Sequence, residues 1–353
     1  MNDKVFMRRA IKLARRAEGW TNPNPLVGAV IVKNGRIVGE GFHQKSGGPH
    51  AEVNAIKNAG GQAKNSTIYV SFEPCSHYGK TPPCTEAIIR GGVKKVVFAC
   101  NDPAPRHSAK ILRWAGLKVE SGLLENEAKE LNRPFLHSQQ AKRPYIAVKF
   151  ASSLDGKLAT KTRDSKWITN EKSREFARKL RGKYQAVLVG ANTVKSDNPH
   201  LGSRDSKLKD PLRIILDSDL SCPIGSQVFR DKNAVVFTTK KAPAQKVAEF
   251  EAKSIKVIKL NASKIDLKTV MDELYELNII SVFVEGGGET IGSFFDDKLV
   301  ERVYAFYAPV LIGGEKAVSI TGIGTSKINN SLKLAIVSRK NLGDDMLIVA
   351  DTI

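Results

Sequence analysis

His50, Cys75 and Cys84 constrain this chain most, because one imidazole and two thiolates set at helix starts must meet to hold one metal ion. The runs read Pro49-His50-Ala51-Glu52 and Pro74-Cys75-Ser76-His77-Tyr78-Gly79-Lys80-Thr81-Pro82-Pro83-Cys84. Such ligands suit zinc, and three of them leave one tetrahedral position open for a water whose pKa the metal lowers toward neutrality. Pro49 sets the start of a helix, with His50 and Glu52 in its first turn. Cys84 precedes a second helical stretch, Thr85-Glu86-Ala87-Ile88-Ile89. A thiolate at a helix N-terminus is stabilised by the helix dipole and by free backbone N–H groups.

Glu52 projects differently from His50, which directs it to the water rather than to the metal. Its expected role is a proton shuttle, from the water to a ring nitrogen and the departing amine. H-x-E followed by P-C…C is the signature of zinc deaminases acting on nucleobases. The pattern therefore predicts hydrolysis of an amino group from a heterocyclic ring. A purely structural zinc site would need a fourth protein ligand, for which His77 and Cys100 are at hand.

At 353 residues the chain exceeds one ordinary core and predicts two domains. No apolar run approaches the ~18–20 residues of a membrane helix. The segment from Met1 to Trp20 lacks a signal-peptide core. It reads instead as an amphipathic helix, with Phe6, Ala10, Leu13, Ala14 and Ala17 on one side and Arg8, Lys12 and Arg15 on the other. Four cysteines in so long a chain predict a reducing, cytoplasmic setting, with Cys100 and Cys222 as packed thiols. The net charge is +20, spread as +11 over residues 1–142 and +9 over the remainder. With no basic tail and no aromatic-interleaved stripe, this favours a lysine-rich surface and phosphate-binding pockets over a nucleic-acid partner.

Strands alternate with helices throughout, which predicts α/β layers. In the first half, strands are expected at 26–32, 36–41, 66–72, 94–99 and 117–120. Helices are expected at 50–59, 84–91, 109–115 and 128–140. A domain boundary falls at Arg143-Pro144, giving domains 1–143 and 144–353. The second half predicts strands from Tyr145 and at 186–190, 212–217, 234–239, 257–260, 280–285, 302–312, 332–341 and 346–350. Helices are expected at 171–181, 243–253, 266–277 and 290–298. The last two strands form an edge hairpin.

The eight residues between Cys75 and Cys84, in place of the common P-C-x-x-C, resemble the riboflavin-pathway deaminases. So does Thr21-Asn22-Pro23-Asn24-Pro25-Leu26-Val27-Gly28. Further on, Lys149-Phe150-Ala151-Ser152-Ser153-Leu154-Asp155-Gly156-Lys157, Ser165-Lys166-Trp167-Ile168-Thr169, Gly190-Ala191-Asn192-Thr193-Val194 and Asp197-Asn198-Pro199-His200-Leu201 are similar to the reductase half of the same family. The resemblance covers the whole chain. It implies a cytidine-deaminase-like α/β/α domain followed by a dihydrofolate-reductase-like α/β domain. The implied activities are zinc-dependent deamination of 2,5-diamino-6-(5-phosphoribosylamino)pyrimidin-4-one and NADPH reduction of the ribosyl group of 5-amino-6-(5-phosphoribosylamino)uracil.

The resemblance also assigns residues. His50, Cys75 and Cys84 would hold zinc and Glu52 would be catalytic. Asn24, His43, His77 and Lys80 would contact the deaminase substrate. Ala151, Trp167, Thr193, Asp197 and the turn Gly287-Gly288-Glu289-Thr290-Ile291-Gly292-Ser293 would contact NADPH. Ser165, Arg181, Leu201, Arg204 and Glu285 would contact the reductase substrate. Arg181 and Arg204 suit a phosphate by charge and fork geometry. Asp155 and Glu285 are candidate acid–base groups. The glycines after Val284 let backbone approach a phosphate at a helix start, although the run departs from G-x-G-x-x-G. The resemblance implies a homo-oligomer, dimer or tetramer, joined through the reductase halves. A rival reading, a nucleic-acid base deaminase of the tRNA type with an RNA-binding second half, predicts P-C-x-x-C spacing and a localised basic face, and the sequence has neither.

Overall fold

In the computed structural model, residues 3–79, 81–104 and 107–353 are described. The chain divides into two units, Met1–Lys142 and Arg143–Ile353. In the first, β1 (Gly28–Lys33) and β2 (Arg36–Phe42) form a hairpin turning at Asn34 and Gly35, both at positive φ. Primed turns of this kind match the strand twist. The strands β3 (Thr67–Val70), β4 (Lys95–Phe98) and β5 (Lys118–Ser121) complete a sheet of order β2-β1-β3-β4-β5. Alternate side chains point to opposite faces. Val30, Val32, Tyr69 and Val97 pack with α1 (Asp3–Ala14), α5 (Glu125–Leu131) and α6 (Arg133–Ala141). Ala29, Ile31, Ile68 and Val96 pack with α2 (Ala51–Ala59), α3 (Cys84–Arg90) and α4 (Ser108–Trp114). The result is three layers.

Two expectations change here. The helix expected to run to Trp20 ends at Ala14 and passes into a 3-10 turn, Arg15–Ala17. The helix expected over 128–140 is two helices, because Pro134 stands in the first turn of α6 and cannot continue an earlier one. Asn132, at the break, instead clasps Leu26: its Oδ1 accepts from the Leu26 amide at 2.8 Å and its Nδ2 donates to the Leu26 carbonyl at 3.0 Å.

The second unit is built on nine strands: β6 (Tyr145–Ser153), β7 (Ala186–Gly190), β8 (Leu212–Leu216), β9 (Ala234–Thr238), β10 (Lys256–Lys259), β11 (Ser281–Val284), β12 (Arg302–Ala308), β13 (Leu334–Leu342) and β14 (Asp345–Thr352). Their order is β10-β9-β8-β7-β11-β6-β12-β14-β13. The first seven positions run parallel, and β14 and β13 are antiparallel additions at one edge. Continuous apolar runs such as Ala186-Val187-Leu188-Val189 are what a strand covered on both faces requires. One face carries α7 (Glu171–Arg181) and α9 (Ala244–Ala252), and the other α10 (Leu267–Glu276) and α11 (Gly288–Asp296). A short helix not foreseen from the sequence, α8 (Ala191–Asp197), follows β7 and ends where Asn198 turns to positive φ. The strand expected to reach Ile312 stops at Ala308, and an irregular segment follows it. No helix among the described residues is long and apolar enough to cross a membrane.

Candidate active sites

The three donor residues of the first unit converge. His50 caps α2 in an extended conformation, and Cys84 is the first residue of α3. Pro49 thus lies outside the helix rather than at its start. His50 Nδ1 is 3.1 Å from Cys84 Sγ and 3.5 Å from Cys75 Sγ, and the sulfurs are 3.3 Å apart. Both thiols are free. A triangle of this size fits a single ion with bonds of about 2.3 Å to sulfur and about 2.0 Å to nitrogen. Among the described residues no other His, Cys, Asp or Glu joins the group. Cys100 is buried at the end of β4, its thiol pushed up to about 11 by burial, and His77 is exposed in the connecting loop. Neither closes the site as a fourth ligand.

The sequence placed the α3 amide donors on the Cys84 thiolate. In the structure the Cys84 N–H instead donates to Cys75 Sγ at 3.3 Å, and the Thr85 N–H donates to the Cys75 carbonyl at 3.2 Å. Hydrogen bonding from Cys84, together with His50, draws the Cys75 thiol down to about 4, whereas Cys84 is held up by its bond to Cys75 and by burial. Glu52 is buried on the first turn of α2, and burial, followed by the charge at Cys75, raises it to about 7. A carboxyl titrating near neutrality suits proton transfer in both directions.

The height of α2 is set by β2. A Cβ on Gly41 would lie 2.4 Å from both the Ala51 carbonyl oxygen and the Ala55 nitrogen. Bare backbone there lets Ala51 and Ala55 sit against the sheet, fully buried, which fixes His50 and Glu52 above it. His43 is buried beside His50, edge to face at 5.1 Å. Its Nδ1 is 3.2 Å from the Pro49 carbonyl, and its Nε2 is 3.2 Å from Asn24 Nδ2. Thr81 Oγ1 is 3.3 Å from His50 Nε2, a contact the sequence reading passed over. Lys80 lies outside the described residues.

In the second unit a cavity of about 1860 Å³ opens at the C-terminal ends of β6, β7, β8 and β11. Ligands of open α/β sheets bind at such strand ends. Ala151, Trp167, Thr193 and Asp197 line it, as do Ser165, Arg181, Leu201, Arg204 and Glu285. Of the turn after β11, Gly287, Gly288, Glu289, Thr290 and Ser293 line it too. Ile291 and Gly292 do not. Ile291 is fully buried in the core, and Gly292 faces the Thr321 carbonyl, where a Cβ would meet the oxygen at 1.4 Å.

Neither proposed acid–base carboxyl is a free proton donor. Asp155 accepts from Ser153 Oγ at 2.6 Å, from the Ile312 N–H at 3.1 Å and from the Gly313 N–H at 2.8 Å, and these bonds hold it down at about 2. It fastens a loop and does not line the cavity. Burial alone would raise Glu285, but the charges of Arg181 and Lys149 outweigh it and keep it ionised. The Lys149 Nζ lies 3.8 Å from Glu285, and burial lowers the pKa of this amine. It is the cavity group the sequence reading missed. Its signal was a lysine inside the apolar strand Tyr145-Ile146-Ala147-Val148-Lys149-Phe150-Ala151.

A donor triangle with a buried carboxylic acid on one α/β/α sheet fits a metal-dependent deaminase, and the large cavity at the strand ends of the other sheet fits a second, ligand-binding half. Residues 1–100 match the cytidine and deoxycytidylate deaminase zinc-binding region, and residues 144–348 match the RibD C-terminal domain. The riboflavin biosynthesis protein RibD of Aquifex aeolicus (strain VF5) is 45% identical over 350 residues, covering 98% of this chain and 97% of that protein. RibD of Bacillus amyloliquefaciens is 44% identical, covering 99% and 96%. Among solved structures, Acinetobacter baumannii RibD superposes with a TM-score of 0.91 at 34% identity, covering 99% of both chains. The diaminohydroxyphosphoribosylaminopyrimidine deaminase/5-amino-6-(5-phosphoribosylamino)uracil reductase of Thermotoga maritima gives 0.87 at 38%, covering 99% and 98%.

The chain belongs to the RibD family of bifunctional riboflavin-biosynthesis enzymes. Its first unit has the cytidine-deaminase-like fold and its second the dihydrofolate-reductase-like fold. Zinc and a nicotinamide cofactor serve the two halves. The reading as a tRNA-type base deaminase with an RNA-binding second half is not favoured, because that half matches the RibD C-terminal domain.

Proposed function

We propose that residues 1–143 hydrolyse the amino group of 2,5-diamino-6-(5-phosphoribosylamino)pyrimidin-4-one, and that residues 144–353 then reduce the ribosyl group of 5-amino-6-(5-phosphoribosylamino)uracil to ribityl with NADPH. The observation that carries the first step is the His50–Cys75–Cys84 triangle beside buried Glu52. These three residues would hold zinc, which when bound acidifies a water for attack on an aminated carbon. Glu52 takes the proton of the attacking water and delivers protons to the ring nitrogen and the leaving amine. Asn24, His43, His77 and Lys80 hold the substrate.

In the second half a bound nicotinamide would supply hydride to C1 of the opened ribosyl group, and the residues of the cavity would position both reactants. Ala151, Trp167, Thr193, Asp197 and, from the turn after β11, Gly287, Gly288, Glu289, Thr290 and Ser293 would face the cofactor. Ser165, Leu201 and Glu285 face the substrate. Arg181, paired with Glu285 and donating to the Gly202 carbonyl at 3.3 Å, and exposed Arg204 would face it as well. The outer strand β13, with Leu334, Ile336 and Val337 exposed, supports self-association through the reductase halves. The setting we infer is cytoplasmic, with small phosphoribosyl pyrimidines as ligands.

Glu52→Gln tests the deaminase. Turnover falls by about 10²–10⁴-fold with zinc content unchanged. Full activity with zinc bound defeats the mechanism. A fluorescence titration that finds NADPH no tighter than NADH defeats the choice of cofactor.

A further inference from the structure

The irregular segment from Ile312 to Gly324 is fastened along its length. At one end the Asp155 carboxylate, just past β6, accepts from the backbone N–H groups of Ile312 and Gly313. At the other, the Asp296 carboxylate at the end of α11 accepts from the Ile323 N–H at 2.7 Å and the Gly324 N–H at 3.1 Å. In between, the Val318 N–H donates to the Ala159 carbonyl at 3.0 Å, and the Leu158 N–H donates to the Val318 carbonyl at 2.7 Å. Ala317 is buried, and Ile320 packs on the core beneath α11. The residues between these ties, among them Lys316, Ser319 and Thr321, form one wall of the reductase cavity.

The seat for this segment is a pair of glycines one turn apart. A Cβ on Gly288 would meet the Ser319 carbonyl oxygen at 1.9 Å, and one on Gly292 would meet the Thr321 carbonyl oxygen at 1.4 Å. No real Cβ tolerates either approach. The Thr321 N–H donates to the Gly288 carbonyl at 3.2 Å, so the segment is bonded where the helix is bare. These two glycines therefore accommodate backbone of the chain itself. By contrast, a Cβ on Gly287 would have only Thr193 Oγ1, at 3.9 Å, near it, so the cavity side of the turn stays open there.

We propose that Gly292 and Asp296 are positioning residues for the reduction. They hold the segment 312–324 on α11, so that it walls the cavity against the cofactor. This deepens the reading of that cavity as the nicotinamide site and rests on it. A wall set by packing acts on binding of the dinucleotide before it acts on hydride transfer. The signature is therefore a split between KM and kcat, whereas a variant that is merely unstable loses kcat at constant KM.

The test uses the full chain, with reduction followed at varied NADPH and binding followed by NADPH and NADH fluorescence titration. Gly292→Ala forces the segment outward. Asp296→Ala cuts its far tie without crowding the helix, and so keeps the test open if Gly292→Ala does not fold. Each variant raises the KM and the dissociation constant for NADPH by about tenfold, with kcat at saturating NADPH within about threefold of the parent. An unchanged KM and dissociation constant in Asp296→Ala overturns the proposal while leaving the cofactor site in place. If the unmodified chain binds neither NADPH nor NADH, the reading of the cavity falls and the proposal falls with it.

Discussion

Arg181 and Glu285 meet fork to fork: Nε donates to Oε1 at 2.5 Å and Nη2 donates to Oε2 at 3.1 Å, within the reductase cavity. The Lys149 Nζ is the third charge, 3.8 Å from the same carboxylate. One anion thus balances two enclosed cations. Replacing one partner of a buried pair is costlier than replacing both, because it strands a charge. Glu285→Ala is expected to destabilise the second unit by about 3–5 kcal/mol and to abolish reduction, with deamination retained. Denaturant unfolding, with both activities assayed in the same preparation, checks this. Equal loss of both activities would contradict it.

All three metal donors lie in the first unit, and among the described residues the second holds no comparable group. Chelation is therefore expected to abolish deamination and spare the reduction when that step is supplied with its own substrate. Added zinc restores the first activity. A chelator that stopped both activities would show that the reductase half depends on the metal as well.

The close approach of β2 to α2 makes Gly41 a control point for chemistry it does not touch. A methyl there would sit 2.4 Å from the Ala51 carbonyl, and backbone cannot yield that far cheaply. Gly41→Ala is expected to lift the first turn of α2, which carries Glu52 and is capped by His50. Deamination should fall by more than about tenfold, since a displacement near 1 Å costs up to about 10². The zinc content of the purified variant should fall with it, and the reductase KM for the nicotinamide cofactor should hold.

The convergence of His50, Cys75 and Cys84 was legible because ligand types and proline-flanked helix starts are local properties. Sheet order was not. That β11 lies between β6 and β7 is a fact of tertiary pairing that no periodicity encodes. Helix continuity across Asn132 was misread because apolar spacing persists through Pro134, while the side-chain clasp to Leu26 is long-range. The glycines after Val284 show the same limit. Their spacing signals close approach without saying to what. Gly288 and Gly292 receive the protein's own segment, while Gly287 faces the open cavity. Asp155 looked available for chemistry because the sequence could not show Ile312 and Gly313 folding back onto it.

Asp155 also gives a pH dependence that separates fastening from catalysis. Its carboxyl titrates at about 2 in the folded chain, drawn down first by the Ser153 hydroxyl and then by the Ile312 and Gly313 amides. In an unfolded chain it titrates near 3.9. The folded state binds the proton less readily, so the contribution of Asp155 is complete above about pH 4 and is lost as the pH falls through about 2. Asp155→Asn lacks that ionisation at every pH. The parent should therefore resist denaturant better than the variant at pH 5, and the gap between their midpoints should close steadily toward pH 2. At neutral pH the variant should raise the KM for the nicotinamide cofactor with little change in kcat, because the group ties down the near end of the cavity wall. A bell-shaped kcat profile that lost one limb in Asp155→Asn would instead make it a proton-transfer group and contradict this assignment.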